Sequence, residues 1–212
     1  MNHSSQNLNQ YLTDVTKSGI SPNDRNWMKE LVVLLGPNRV LTDEETIDEH
    51  SYDAWAVSCK WKNQKKRLFG PHVVVKPQST EEVSMILKWA TEKSVPVTPW
   101  GGGSSVTGQP LPTRGGISLD MSAMDKVLSL NDISLVVKVQ AGKFGDKLEE
   151  KLNQKGYTLN HSPQSLDRST VGGWVATRAM GQFSSRYGGI EDLLVSFTAV
   201  LPTGEIIKTM DV

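Results

Sequence analysis

The chain has 212 residues, 37% hydrophobic and 22% charged, which is typical of a folded globular protein and not of a disordered one. Its 23 lysines and arginines balance its 23 aspartates and glutamates, so the zero net charge argues against a general nucleic-acid binder. No segment has the roughly 20 consecutive apolar residues that cross a bilayer, and the polar residues 1–10 are interpreted as a frayed tail without a secretory signal.

The first half of the sequence predicts a helix and then a strand–helix–strand unit. Apolar residues with helical spacing run over 27–35, and Gly36 ends that helix. Residues 73–75 form a run of valines typical of a strand, and a helix with capping-box spacing follows after Ser79. The next strand covers 95–98. The lysine-rich residues 58–70 predict an exposed loop.

The second half predicts strands at 117–119, 127–130 and 135–139, then helices at 144–153 and 171–179, and finally a hairpin of 194–201 with 205–208. The predicted fold is of the α+β class. It has an N-terminal tail and helical lead-in over residues 1–50, a small βαβ lobe over 51–110, and a larger, mainly antiparallel sheet lobe with flanking helices over 111–212.

A glycine-rich turn follows the strand at 95–98. Three adjacent glycines, Gly101 to Gly103, allow a ligand to approach the backbone closely, and consecutive N–H groups can bind an anion such as pyrophosphate. The turn lacks the Gly-Lys-Ser/Thr ending of a phosphate-hydrolysing loop, and Val106 occupies the third glycine position of the dinucleotide fingerprint. A flexible turn without a ligand remains the alternative interpretation.

A second segment places hydroxyl groups and the pair Gly172 and Gly173 at the start of the helix predicted from residue 171. Backbone N–H groups at a helix start favour a phosphate or the polar edge of a ring. An ordinary helix cap followed by close packing is the alternative.

Other polar residues give weaker indications of chemistry. The adjacent Glu191 and Asp192 are interpreted as a solvated turn and not as an acid–base pair. His161 is expected on the surface or in packing. The four histidines lack metal-ligand spacing, so no metal is expected. The single cysteine, Cys59, is not expected to be a nucleophile and indicates a reducing, cytoplasmic location.

Taken together, these segments resemble the FAD-linked oxidases among the vanillyl-alcohol-oxidase-like flavoproteins, which have an FAD-binding domain of the p-cresol-methylhydroxylase (PCMH) type. The resemblance runs from about residue 51 to the end of the chain. It depends on residues 71–77, on the glycine-rich turn, and above all on residues 169–179 with the segment 190–193. That last part is similar to the branch of alkyldihydroxyacetonephosphate synthases.

The resemblance implies that FAD is the cofactor and that it contacts two parts of the chain. The first set would bind the FAD pyrophosphate: Pro99, Trp100, Gly101, Gly102, Gly103, Ser104 and Ser105. The second set would line the rest of the FAD site: Gln164, Ser165, Leu166, Asp167, Arg168, Ser169, Thr170, Gly172, Gly173, Thr177, Arg178, Ala179 and Met180.

The resemblance also implies the function. The main prediction is a flavin-dependent oxidoreductase acting on a small 2-hydroxy acid such as glycolate or D-lactate. The alternatives are a synthase-like FAD transferase and an FAD-binding module without activity of its own.

Some relatives tether the flavin to a histidine in the glycine-rich turn. Since no histidine stands near Ser104 here, we expect non-covalent FAD. Further substrate-binding and catalytic segments are expected after Val212, so no catalytic residue is assigned. The expected partners are a small-molecule substrate and, in a homo-oligomer, further copies of the same chain.

Overall fold

The computed structural model describes residues 22–210 and the side chains of residues 26–210. The tail predicted at residues 1–10 lies outside this range. Helix α1 (Pro22–Leu35) ends where the sequence predicts, at Gly36, whose φ of 87° lies in the left-handed region that glycine adopts without strain. A 3₁₀ turn (Pro37–Arg39) then leads into the short strand β1 (Val40–Leu41).

Two helices follow β1, and the second corrects the loop prediction. Asp43 caps α2 (Glu44–Glu49) by accepting a hydrogen bond from a backbone N–H, and α3 (Ala56–Asn63) follows after a turn. Ser58 in α3 is fully buried, and the Trp61 ring packs edge-on against Trp55 and Phe69. The prediction of an exposed loop is therefore wrong for residues 58–63. Lysines dominate the sequence there, but the aromatic contacts give the helix a packed face.

The main sheet has four strands in the order β1, β2, β4, β3. Strand β2 (Val73–Val75) pairs antiparallel with β1, helix α4 (Thr80–Lys93) connects β2 to β3 (Val97–Trp100), and β4 (Ile117–Asp120) lies between β2 and β3, parallel to both. All four residues of β4 are buried, as expected for an interior parallel strand. The sequence predicts the strand–helix–strand unit correctly but does not predict the parallel pairing of β4 with β2 and β3, because burial patterns do not reveal which strands pair.

The core of this region joins α1, α4 and the sheet. Its buried side chains are Met28, Leu31, Val32, Val40, Val73, Val75, Val83, Ile86, Ile117, Leu119 and Met124. Each large apolar side chain of this kind contributes about 1.5–3 kcal/mol on full burial. The glycine-rich turn begins at the carboxyl end of β3, so this core fixes the direction in which the turn leaves the sheet.

The second half contains two antiparallel hairpins and several helices. In chain order they are β5 (Val127–Asn131), β6 (Val136–Val139), α5 (Gly145–Asn153), α6 (Val171–Thr177), α7 (Ser184–Tyr187), α8 (Ile190–Leu193), β7 (Thr198–Val200) and β8 (Ile206–Lys208). The predicted hairpin at the end of the chain is confirmed in a shorter form. It packs on α4, where Ser84 Oγ donates to the Gly204 carbonyl. The division of the chain at residues 50 and 110 stays a prediction.

Candidate functional site

The glycine-rich turn presents a row of unpaired backbone donors. Residues 101–105 are half-buried, and Gly103 has a φ of 64°, again in the left-handed region. Within residues 22–210, no backbone N–H from 102 to 106 donates a hydrogen bond to another group. Because half-buried N–H groups normally have partners, such a row favours binding of an anion with several acceptor oxygens.

The two segments that the sequence singles out lie in contact. A Cβ atom on Gly102 would lie 2.0 Å from the Arg168 carbonyl oxygen, and one on Gly101 would lie 2.5 Å from Thr170 Oγ1. Both distances are shorter than real Cβ contacts. Since the contact at Gly102 is with backbone, the approach of the two loops requires glycine there, whereas a Cβ at Gly101 would displace the Thr170 side chain. The structure therefore brings the two predicted segments together at Gly101 and Gly102 on one side and Arg168 and Thr170 on the other.

The start of α6 differs from its prediction. The N–H groups of Val171 and Gly172 donate to the Lys143 and Ala141 carbonyls over 2.9 and 2.8 Å. The Gly173 N–H donates to Thr170 Oγ1 over 3.3 Å. The interpretation that these N–H groups are free for a phosphate is wrong, because protein acceptors already use them. The alternative of a capped helix with a closely packed glycine pair fits the structure.

The hydroxyls of the second segment mainly hold the loop itself. Ser169 and Thr170 are buried, and Ser169 Oγ accepts the indole N–H of Trp174 over 2.6 Å and donates to the Ser165 carbonyl over 2.7 Å. Asp167 and Arg168 are exposed and pair with each other at 3.1 Å. The exposed side of this segment thus presents charged groups, and its buried side is structural.

The predicted residues 177–180 lie at the far end of α6, about 10 Å along the helix axis from its start. Arg178 has a φ of 52° and pairs with Glu191 at 2.8 Å. The Asp192 carboxylate instead accepts the Gly189 N–H, so the adjacent carboxylates have separate partners. Both are exposed, as predicted, but they lie in the short helix α8 and not in a turn. Met180 is 62% exposed.

His161 is buried and close to this segment. It is 3% exposed, its ring lies edge-on to Trp174 with 4.8 Å between ring centroids, and neither ring nitrogen has a hydrogen-bond partner among the described residues. Burial lowers the pKa of His161, although the Glu191 charge acts in the opposite direction. Of the two expected roles, surface or packing, the structure shows packing.

A charged cluster next to Trp100 is not visible in the sequence. The buried Asp120 carboxylate lies 3.2 Å from His50 Nε2 and 3.0 Å from Lys76 Nζ, and the His50 ring packs on Trp100 with 4.7 Å between centroids. Burial alone would raise the pKa of Asp120. Hydrogen bonds from His50, from the Ser122 N–H and from Lys76 outweigh burial and lower that pKa to about 2. No local pattern reveals this cluster, since His50 and Asp120 are 70 residues apart.

Residues 22–210 contain no group of three or more His, Cys, Asp or Glu side chains placed to hold a metal ion. None of the helices in that range is long and apolar enough to cross a membrane.

Comparison with known proteins identifies relatives for most of the chain. The alkyldihydroxyacetonephosphate synthase of Caenorhabditis elegans is 43% identical over 147 residues, which cover 67% of this chain and 24% of that protein. The mitochondrial D-lactate dehydrogenase (cytochrome) of Arabidopsis thaliana is 36% identical over 199 residues, which cover 92% of this chain and 34% of that protein. The chain thus spans about a quarter to a third of the length of these relatives.

Solved structures confirm the predicted α+β, PCMH-type fold. A structure of alkyldihydroxyacetonephosphate synthase matches with a TM-score of 0.82 at 33% identity and covers 87% of this chain and 38% of its own. p-Cresol methylhydroxylase, at 18% identity, shares the fold with a TM-score of 0.75 over 90% of this chain and 36% of its own. The family described as FAD binding domain matches residues 71–210, including the glycine-rich turn and α6. The chain belongs to this FAD-binding domain family.

Proposed function

We propose that this chain is the FAD-binding part of a flavin-dependent dehydrogenase that oxidises a small 2-hydroxy acid of the glycolate or D-lactate kind. The observation that carries the cofactor site is the row of unpaired N–H groups at residues 102–106, which begins where Gly102 packs against the Arg168 carbonyl. The resemblance to D-lactate dehydrogenase over 92% of the chain supports the substrate class.

In this proposal the turn at residues 99–105 binds the FAD pyrophosphate through backbone N–H groups and the Ser104 hydroxyl. Residues 164–170 form the wall opposite the turn, and residues 177–180 lie further along the cofactor. Gly172 and Gly173 contribute by packing and not by donating to a phosphate. When bound, FAD would accept a hydride from the substrate carbon that bears the hydroxyl group. The chain's own residues bind and orient the cofactor, and none of them is proposed as the catalytic base.

The identity of the cofactor is tested by denaturing the purified protein and identifying any released ligand. We expect FAD, because the turn fits a pyrophosphate while Val106 breaks the NAD fingerprint. Release of NAD(P), or tight binding of NAD(P) without affinity for FAD, would contradict the proposal.

The place of binding is tested by Ser104→Asp, which adds a carboxylate beside the unpaired donors. Its charge would repel the pyrophosphate, so we expect FAD affinity to fall at least about tenfold while the unfolding midpoint stays unchanged. Ser134→Asp, in the exposed turn between β5 and β6, is the matched control and should bind FAD like the wild type. Equal affinity in both variants would exclude the turn as the phosphate site.

A second candidate is a transferase like alkyldihydroxyacetonephosphate synthase, in which the flavin acts without net redox change. The 43% identity to the C. elegans enzyme favours it. Anaerobic addition of D-lactate or glycolate to an FAD-loaded protein that also carries the expected substrate-binding segments separates the two candidates, because only a dehydrogenase reduces the flavin and bleaches its absorbance. Bleaching would exclude the transferase and the binding module without turnover, and no bleaching with either substrate would contradict the dehydrogenase.

We further propose that FAD is held without a covalent bond, since the turn reads Gly103-Ser104-Ser105 with no histidine for a flavin tether. We also propose that this chain alone holds FAD weakly, because it spans only about a third of the length of its D-lactate dehydrogenase relative. Acid precipitation should leave the yellow colour in the supernatant, and exhaustive dialysis should remove it. Colour that stays with the precipitate would refute non-covalent binding, and colour that survives dialysis would refute weak binding. A reducing compartment such as the cytoplasm is proposed from the single Cys59.

A further inference from the structure

Asp53 is a buried carboxylate that contacts Gly108, just after the glycine-rich turn. It is 6% exposed, its Oδ2 accepts the Gly108 N–H over 2.9 Å, and its Oδ1 accepts the Trp55 N–H over 3.2 Å. Its own N–H donates to Oγ of the fully buried Ser58 over 3.1 Å. Within the described residues Asp53 has no ion-pair partner, so its carboxylate is satisfied by backbone donors alone.

The next residue holds the other end of the same loop. The Ala54 N–H donates to the Gly103 carbonyl over 3.2 Å. Gly103 and Gly108 have φ angles of 64° and 78°, so both contacts are made at residues in the left-handed region. Asp53 and Ala54, which we call the loop anchor, thus fix both ends of the loop 103–108. Most of the unpaired N–H row, from 103 to 106, lies between the two contacts.

We propose that Asp53 is a positioning residue for the cofactor turn. Together with the Ala54 N–H, its carboxylate holds the loop 103–108 in the conformation that directs the unpaired donors toward the FAD pyrophosphate. The loop anchor precedes residues 71–210, the part that matches the FAD-binding domain family. This inference rests on the proposed function, because it requires the turn to bind FAD.

The physical reason is preorganisation. Without the anchor, the loop between Gly103 and Gly108 would sample several conformations and would have to be ordered when the cofactor binds, which weakens affinity. A hydrogen bond to a carboxylate is stronger than one between neutral groups, so a single acidic side chain suffices to hold the Gly108 end. A purely structural role at the entry to α3 would instead lower stability without a selective effect on FAD.

Asp53→Asn in the 212-residue chain separates these roles. The amide keeps the shape but replaces one acceptor oxygen by an NH₂ donor, so one backbone N–H loses its partner. Asp43→Asn makes the same change at the N-cap of α2, away from the turn, and is the matched control. We expect the FAD dissociation constant to rise about tenfold in Asp53→Asn and to stay at the wild-type value in Asp43→Asn.

Amide hydrogen exchange gives a second readout. In Asp53→Asn without FAD, the Gly108 amide should exchange faster than in the wild type, and saturating FAD should restore its protection. Ser58→Ala, which frees the Asp53 backbone and keeps its carboxylate, should weaken FAD binding by about threefold. This milder variant decides the question if Asp53→Asn fails to fold.

The outcomes are distinguishable. If the wild type binds FAD and Ser104→Asp does not, but Asp53→Asn binds like the wild type with unchanged Gly108 exchange, the positioning role is wrong and the proposed function stands. Equal losses of affinity in Asp53→Asn and Asp43→Asn would also overturn it, as would wild-type affinity and exchange in Ser58→Ala. A wild type without affinity for FAD would overturn both the proposed function and this inference.

Discussion

The glycine-rich turn and the start of α6 are similar in sequence, since each combines adjacent glycines with neighbouring hydroxyl side chains. In the structure they differ. The N–H groups at residues 102–106 have no acceptor among the described residues, whereas those at 171–173 donate to protein oxygens. Glycines and hydroxyl side chains thus indicate where backbone N–H groups could bind an anion, but only their hydrogen-bond partners show which N–H groups are free to do so.

Gly102→Val should have the largest effect, and it tests the contact between the glycine-rich turn and the segment before α6. Gly102→Val would place side-chain atoms against the Arg168 carbonyl, where even a Cβ lies only 2.0 Å away. The two loops would have to separate to accommodate the valine side chain. We expect a loss of about 3 kcal/mol in the free energy of unfolding, together with loss of FAD binding, measured by urea denaturation and FAD titration.

Gly156→Val is the control for Gly102→Val. Gly156 has a φ of 79° and no atom within 4 Å of an added Cβ, so only backbone strain applies there. Its destabilisation should be about 1–2 kcal/mol. A Gly102→Val protein as stable as the wild type would show that the two loops are not in contact.

The next effect concerns the charged cluster of Asp120, His50 and Lys76, and it depends on pH. Since the pKa of Asp120 in the folded state is about 2, below its ordinary 3.8, its contribution to stability is complete above pH 3.8 and is lost as the pH falls through 2. We expect about 2 kcal/mol of acid-dependent destabilisation from this group. Urea unfolding at several pH values should show it in the wild type and not in Asp120→Asn. The same pH dependence in both proteins would exclude Asp120 as its source.

A smaller effect tests whether the Thr170 hydroxyl at the start of α6 has a structural role. Thr170→Val removes the hydroxyl that accepts the Gly173 N–H and leaves that half-buried donor unpaired. We expect a loss of about 1–2 kcal/mol in stability and a change in FAD affinity of less than about threefold. Thr177→Val, at an exposed position of the same helix, should change stability by less than about 0.5 kcal/mol. A large loss of FAD affinity in Thr170→Val without a loss of stability would make its hydroxyl a cofactor ligand.

The sequence predicts well those elements whose signals are local. The cap at Ser79, which accepts the Glu82 N–H, and the helix α4 after it appear where the pattern places them. The parallel insertion of β4 is not predictable in this way, because it depends on pairing with strands far along the chain.

The same distinction applies to the candidate site. Its glycines are visible in the sequence, whereas Asp53, which lies 55 residues before Gly108, becomes part of the site only through the fold.

Selective ¹⁵N labelling of glycine shows whether FAD binds the turn, as we propose, or the start of α6. The chain provides a matched pair of positions, with Gly102 and Gly103 in the turn and Gly172 and Gly173 at the helix start. On titration with FAD, the turn amides should show large chemical-shift changes and gain protection from exchange, while the helix-start amides should change little. Large changes at Gly172 and Gly173 with none at Gly102 and Gly103 would contradict the account.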